Sequence, residues 1–131
     1  MRAEESKEDA AAWLDIARDD LRAGEKALSG DDPLPRDACF HAQQAAEKYL
    51  KAYLVFRGFH PRRTHDLELL LEECADFDPR FRGLAAACEF LNPFAIEARY
   101  PSRIAEYTVE QAGRGLDLAE RIAEFVGSRI V

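Results

Sequence analysis

The chain has 131 residues, 47% of them apolar, with 18 Lys and Arg against 25 Asp and Glu for a net charge of −7. That length and balance fit one folded domain, residues 1–131, with its own hydrophobic core, and exclude a disordered or fibrous chain. The negative balance also argues against a general coat for nucleic acid.

The longest apolar run, residues 49–56, is interrupted by Lys51 and is too short to cross a bilayer, so no membrane partner is expected. Residues 1–9 are charged and lead into no signal-type apolar region, which predicts a cytoplasmic protein. Cys39, Cys74 and Cys88 form no Cys-x-x-Cys pair, and each falls at an apolar helix position, as buried reduced thiols do. Charge is unevenly spread. Residues 1–32 carry 10 acids and 5 bases, and residues 66–97 carry 8 acids and 2 bases. Residues 33–65 between them carry 6 bases and 2 acids. A locally basic section in an acidic chain can focus an anion without holding polyanions indiscriminately.

Five stretches have helical periodicity, in chain order. The first opens at Ser6, with Asp9 completing a capping-box-like start, and its seam runs Ala10, Trp13, Ala17, Leu21, Gly24, Leu28. A break comes next over residues 30–35, rich in Gly, Asp and Pro. The second helix is predicted from about Asp37 to Phe56. Its first half is small and amphipathic (Ala38, Ala42, Ala45, Ala46). Its second half is apolar nearly all round, which requires burial on every side, either centrally in the bundle or at a dimer interface. Gly58 and Pro61 mark a turn, and Thr64 is the expected N-cap of a short third helix with seam Leu67, Leu70, Leu71, Cys74. Asp78-Pro79 starts a fourth, with seam Phe81, Leu84, Ala85, Cys88, Leu91, broken or kinked at Asn92-Pro93. The last begins at Thr108 with Gln111 in a capping box, and its stripe runs Val109, Ala112, Leu116, Ala119, Ile122, Val126, Ile130. Gly113 and Gly115 cost this helix about 1 kcal/mol each, which predicts mobility or close packing there. Nothing alternates with a period of two. The fold class is therefore all-α: an antiparallel up-down bundle of four main helices plus a short fifth.

Chemistry has few footholds. His60 and His65 flank a proline and two arginines, the wrong electrostatics for a cation, and His41 lies elsewhere, so no metal site is expected. No Gly-x-Ser-x-Gly or phosphate-binding glycine loop occurs, and no cofactor is implied. What remains is cationic. Gln44, Lys48 and Lys51 share one face of the second helix, although Glu47 can pair with Lys51 across a turn. Arg57, Arg62, Arg63 and His65 cluster beyond that helix, and Arg99, Tyr100 and Arg103 form a second patch. Arginine beside an aromatic face suits a phosphate and a base, and equally a protein contact.

Three segments together resemble the HEPN domain family (higher eukaryotes and prokaryotes nucleotide-binding). They are Ala42-Gln43-Gln44-Ala45-Ala46-Glu47-Lys48-Tyr49-Leu50-Lys51-Ala52, then Thr64-His65-Asp66-Leu67, then Ala98-Arg99-Tyr100-Pro101. The resemblance implies an up-down helical bundle, a homodimer, and a minimal nucleotidyltransferase as partner in a toxin–antitoxin-like pair. It points to a nucleotide or RNA ligand, and the side chains whose own chemistry suits one are Lys48, Lys51, His65, Arg99, Tyr100 and Arg103: Arg99 to hold phosphate, Lys48 to add a point charge and Tyr100 to stack. Some members of the wider superfamily are metal-independent ribonucleases with an Arg followed after four to six residues by a His late in the chain. Here no histidine follows His65. Arg36 and His41 match that spacing at the start of the second helix, the wrong place for the family. The sequence therefore favours a non-catalytic or weakly catalytic binding module. The alternative is a ribonuclease using Arg99 or Arg36 with His41 or His65.

Overall fold

The computed structural model describes residues 3–97 and 107–130, and every element in them is helical. They are α1 (Ala3–Leu28), α2 (Pro35–Phe56), α3 (Leu67–Phe77), a 3-10 helix (Pro79–Leu84), α4 (Ala85–Leu91), α5 (Phe94–Glu97) and α6 (Val109–Arg129). No helix among the described residues is long and apolar enough to cross a membrane.

α2 is the spine. It begins at Pro35, two residues before the expected start, because proline at the first helical position gives up an amide that no helix could have paired. Tyr49, Leu50, Ala52, Tyr53, Leu54 and Val55 are all 5% exposed or less. The apolar second half of α2 is thus enclosed by its own chain: α1 on one side, α6 on another, and α3 to α5 closing the rest. The burial that suggested a dimer interface is met inside one subunit. The aromatic stack Tyr53–Phe81–Phe125, with centroids 4.4 and 4.9 Å apart, ties α2, the 3-10 helix and α6 together.

Helix ends explain the remaining layout. α1 already runs at Ala3, so Ser6 is a buried residue within the helix and not its cap. At the end of α2 the amide of Gly58 donates to the Val55 carbonyl and that of Phe59 to the Leu54 carbonyl, the paired bonds of a Schellman stop. Gly58 sits at φ +79°, which an L side chain resists. The chain then turns back along the bundle, so that His65 lies beside Gln43 and Glu47 while Phe77, at the far end of α3, packs under Arg57. α3 therefore runs in the same sense as α2.

Asp66, and not Thr64, caps α3: its carboxylate accepts from the amides of Glu68 and Leu69, while Thr64 Oγ1 accepts from the Asp66 amide one step earlier. Asp78 caps the 3-10 helix by accepting from the Arg80 amide. The tighter 3-10 winding shifts the phase of α4, so Ala85 is exposed and Ala87 takes the inward position. Thr108 caps α6 by accepting from the Gln111 amide, and the stripe from Ala112 to Val126 is buried, whereas Val109 is 44% exposed. Gly115 faces α4 and α2 with room for a methyl group: a Cβ there would lie 3.5 Å from Leu91 and 3.8 Å from Ala42.

Candidate functional site

The polar residues of α2 sort onto two adjoining strips. On the strip facing α1, Asp20 is the hub. Its Oδ1 lies 3.1 Å from Nδ1 of His41, and its Oδ2 pairs with Lys48 Nζ. On the strip facing the α2–α3 connection, Glu47 is the hub. Its Oε2 accepts from Lys51 Nζ at 3.0 Å, and its Oε1 lies 2.6 Å from Nδ1 of His65. Gln43, fully buried, donates from Nε2 to the backbone carbonyl of His65 at 2.9 Å and accepts from Gln44. Asn92, at the break after α4, accepts from the Leu67 amide and donates to the Asp66 carboxylate. The segment 64–67 is thereby fastened to both α2 and α4.

This frame fixes His65. A carboxylate only accepts, so Nδ1 facing Glu47 carries the proton and Nε2 of the neutral ring is left as an acceptor. The ring is 54% exposed, while the carboxylate behind it is only 5% exposed. Lys51 is nine-tenths buried, with its ammonium 5.8 Å from the centre of the Trp13 ring.

Beside Lys51 opens a pocket of about 370 Å³ between α1, α2 and the returning connection. Trp13 and Val55 give it an apolar wall, Arg62 and Arg63 give it a cationic one, and His60 and Asp9 complete the lining. Arg62 also pairs with Glu73 at 3.2 Å. Arg63 makes no ion pair among the described residues, so its charge is available to a ligand. Arg57, by contrast, is taken up: it donates to Tyr53 Oη and lies 4.8 Å from the Phe77 ring centre.

Of the residues singled out from the sequence, Lys51 and His65 share the Glu47 carboxylate, and Lys48 is committed to Asp20 instead. Arg99, Tyr100 and Arg103 lie outside the described residues. His41 is held by Asp20, and Arg36 is half-buried at the start of α2. Sequence reasoning missed Asp20, Trp13 and Gln43 as site residues. Asp20 is one acid among ten in its section, Trp13 reads as an ordinary seam residue, and only Gln43 falls within a segment that marks the family. Among the described residues no group of three or more His, Cys, Asp or Glu is arranged to hold a metal ion.

The three thiols are buried and free, and burial raises their pKa values: Cys39 to about 11, Cys88 to about 12, and Cys74 further still. They are packing groups outside the polar site.

A helical bundle built on α2, with the 64–67 segment docked against it, is the architecture of a known class. The HEPN domain family model matches residues 10–129, and the chain belongs to the HEPN domain family. The chain is similar to the crystal structure of TT1696 from Thermus thermophilus, at 35% identity and TM-score 0.78, covering 91% of this chain and 96% of that one. It is also similar to the crystal structure of ST0689, an archaeal HEPN homologue, at 28% identity and TM-score 0.61, covering 100% and 99%. No curated protein matches the sequence significantly.

Proposed function

We propose that this chain is a HEPN-type binding module that holds a nucleotide-like anion at the corner between α1, α2 and the returning connection. The observation that carries this reading is a pocket that gathers Lys51, Arg62 and Arg63, against one acid, Asp9, in a chain of net charge −7, with Arg63 left without an ion pair among the described residues. Positive residues gathered on one concave surface of an acidic protein focus a small anion there, while the negative remainder of the molecule keeps extended polyanions away. The frame of Gln43, Glu47, His65 and Asn92 supports the same reading, because it holds the connection in place before any ligand arrives and so lowers the ordering cost of binding.

The resemblance to the family extends the proposal to partners: a minimal nucleotidyltransferase in a toxin–antitoxin-like pair, and a second copy of this chain. Purification of the tagged protein from its host, with mass spectrometry of what accompanies it, tests the partner. Calorimetry with pyrophosphate tests the anion. The Arg62→Ala/Arg63→Ala double variant is expected to bind at least about tenfold more weakly, since hydrogen bonds to charged groups contribute about 1.5–3 kcal/mol each. Unaltered affinity would remove the pocket from the proposal.

A ribonuclease reading draws on one feature, the Glu47-backed His65 ring with Nε2 turned away from its carboxylate, the arrangement a general base needs. Cleavage of labelled RNA in excess EDTA, abolished by His65→Ala, would replace the binding reading with that one.

A further inference from the structure

We propose that His65 is a phosphoryl acceptor: its Nε2 takes a phosphoryl group from an acyl phosphate, and the Glu47 carboxylate behind the ring stabilises the charge that the transfer creates. The ring stands outside the pocket, and the transfer does not need the anion site above.

Two histidines of the chain are backed by a carboxylate, His65 by Glu47 and His41 by Asp20, and each carboxylate also holds a lysine. The surroundings separate them. The His65 ring is 54% exposed and that of His41 33%, so the first is the more open to a reagent. Glu47 is also buried more deeply than Asp20, and its charge is less screened by water. Gln43 holds the His65 carbonyl, and Asn92 holds the two residues that follow, which keeps the ring against Glu47. His41 faces α1, whose section of chain is acidic, whereas Arg62 and Arg63 lead directly into His65. Arg63 makes no ion pair among the described residues. Two residues of chain span at most about 7 Å, so its guanidinium is within reach of a phosphoryl group arriving at the ring.

The chemistry follows from the tautomer. With the Nδ1 proton on Glu47, the lone pair of the neutral ring lies at Nε2, turned away from the carboxylate. That pair attacks phosphorus and the N–P bond forms. The P–O bond to the acyl oxygen breaks, and the leaving group departs as a carboxylate with the bonding electrons. No proton has to move. Nδ1 keeps its own, and the ring becomes a cation paired with Glu47, which Lys51 anchors from the other oxygen. Arg63 meets the phosphoryl oxygens as negative charge spreads over them. A neutral acyl group would use the lone pair and leave the arginine idle.

Incubation of the full-length protein with acetyl phosphate, with the label placed by fragmentation mass spectrometry, tests this. One phosphoryl group is expected on His65 ahead of His41 and of His60, which is exposed and has no carboxylate partner among the described residues. It should be stable in base, lost in acid, and absent from His65→Asn. Glu47→Gln alone strands the Lys51 ammonium, so the carboxylate is tested in Glu47→Gln/Lys51→Met, which removes both charges together. That variant should melt as a folded protein and take up label at least about tenfold more slowly. Tenfold is roughly the difference between a charged and a neutral hydrogen bond to the ring cation. An unchanged rate in the folded variant would remove Glu47 from the transfer and overturn the proposal. Label appearing first on His60 would mean that access alone sets reactivity, and no label on any histidine would exclude phosphoryl transfer; either result also overturns it. None of these outcomes touches the anion pocket, which pyrophosphate binding reads separately.

Discussion

Asp78 gathers its hydrogen bonds from one neighbour: the Arg80 amide at 3.1 Å, and Arg80 Nε and Nη2, both at 3.0 Å. The Arg80 side chain is the main reason its pKa lies below the ordinary aspartate value, and Arg129 adds attraction from α6. A carboxyl depressed by folding adds stability that is present above its unfolded pKa and lost as pH falls through the folded one. Asp78→Asn keeps the capping oxygen and removes the charge. It is expected to melt below the wild type at pH 7, with the gap closing as the pH drops below the ordinary aspartate value of 3.8 and the wild-type carboxyl protonates. Melting curves at pH 7, 5, 4 and 2.5 check this, and a gap independent of pH would assign the loss to packing alone. The Asp78 cap is legible in the sequence because Asp-Pro is a local signal. The ion pair with Arg129 is not, since it joins residues far apart along the chain.

Among elements, α6 shows whether packing requires the glycines that its sequence places in a helix. Gly115 weakens the helix, and in the structure it lies against Leu91, Phe94 and Ala42. The space left for a Cβ there, 3.5 to 3.8 Å from its neighbours, is ordinary van der Waals contact. Gly115→Ala is therefore expected to stabilise the protein by about 0.5–1 kcal/mol through helix propensity, measurable by urea denaturation. Gly115→Leu, which overfills the same site, should cost about 1–3 kcal/mol. The close packing that a glycine in this helix suggested is not found at position 115, where the fold leaves room for a methyl group. Helix phases were readable wherever the winding stayed regular. Ala85 was misplaced because the 3-10 helix before it is wound more tightly, a change that no hydrophobic pattern marks. Thr64 and Asp66 were both plausible caps two residues apart. The choice fell to Asp66 because Asn92, distant in sequence, holds its carboxylate in place.

At the scale of the molecule, what could be read in advance and what could not divide along contact distance. The bundle was legible from periodicity, and Glu47, Lys51 and His65 from the segments that mark the family. The apolar girth of α2 was legible as a demand for full burial, but the sequence left open whether the chain or a second copy would meet it. The Trp13 pocket was not legible, because it exists only once α1 and the returning connection lie against the same stretch of α2.

That enclosure of α2 has a consequence for exchange with solvent. The amides of residues 50–55 are hydrogen-bonded within a helix that the other elements cover on its exposed sides, so no partial opening of one neighbour bares them fully. Their deuterium uptake should proceed only when the whole domain unfolds, and their protection should equal the free energy from urea denaturation, within about 1 kcal/mol. Residues 7–12, toward the outer end of α1, should exchange orders of magnitude sooner through fraying. Faster uptake at residues 50–55 than global unfolding permits would mean that α1 or α6 detaches on its own, and the spine would then be a surface for part of its lifetime.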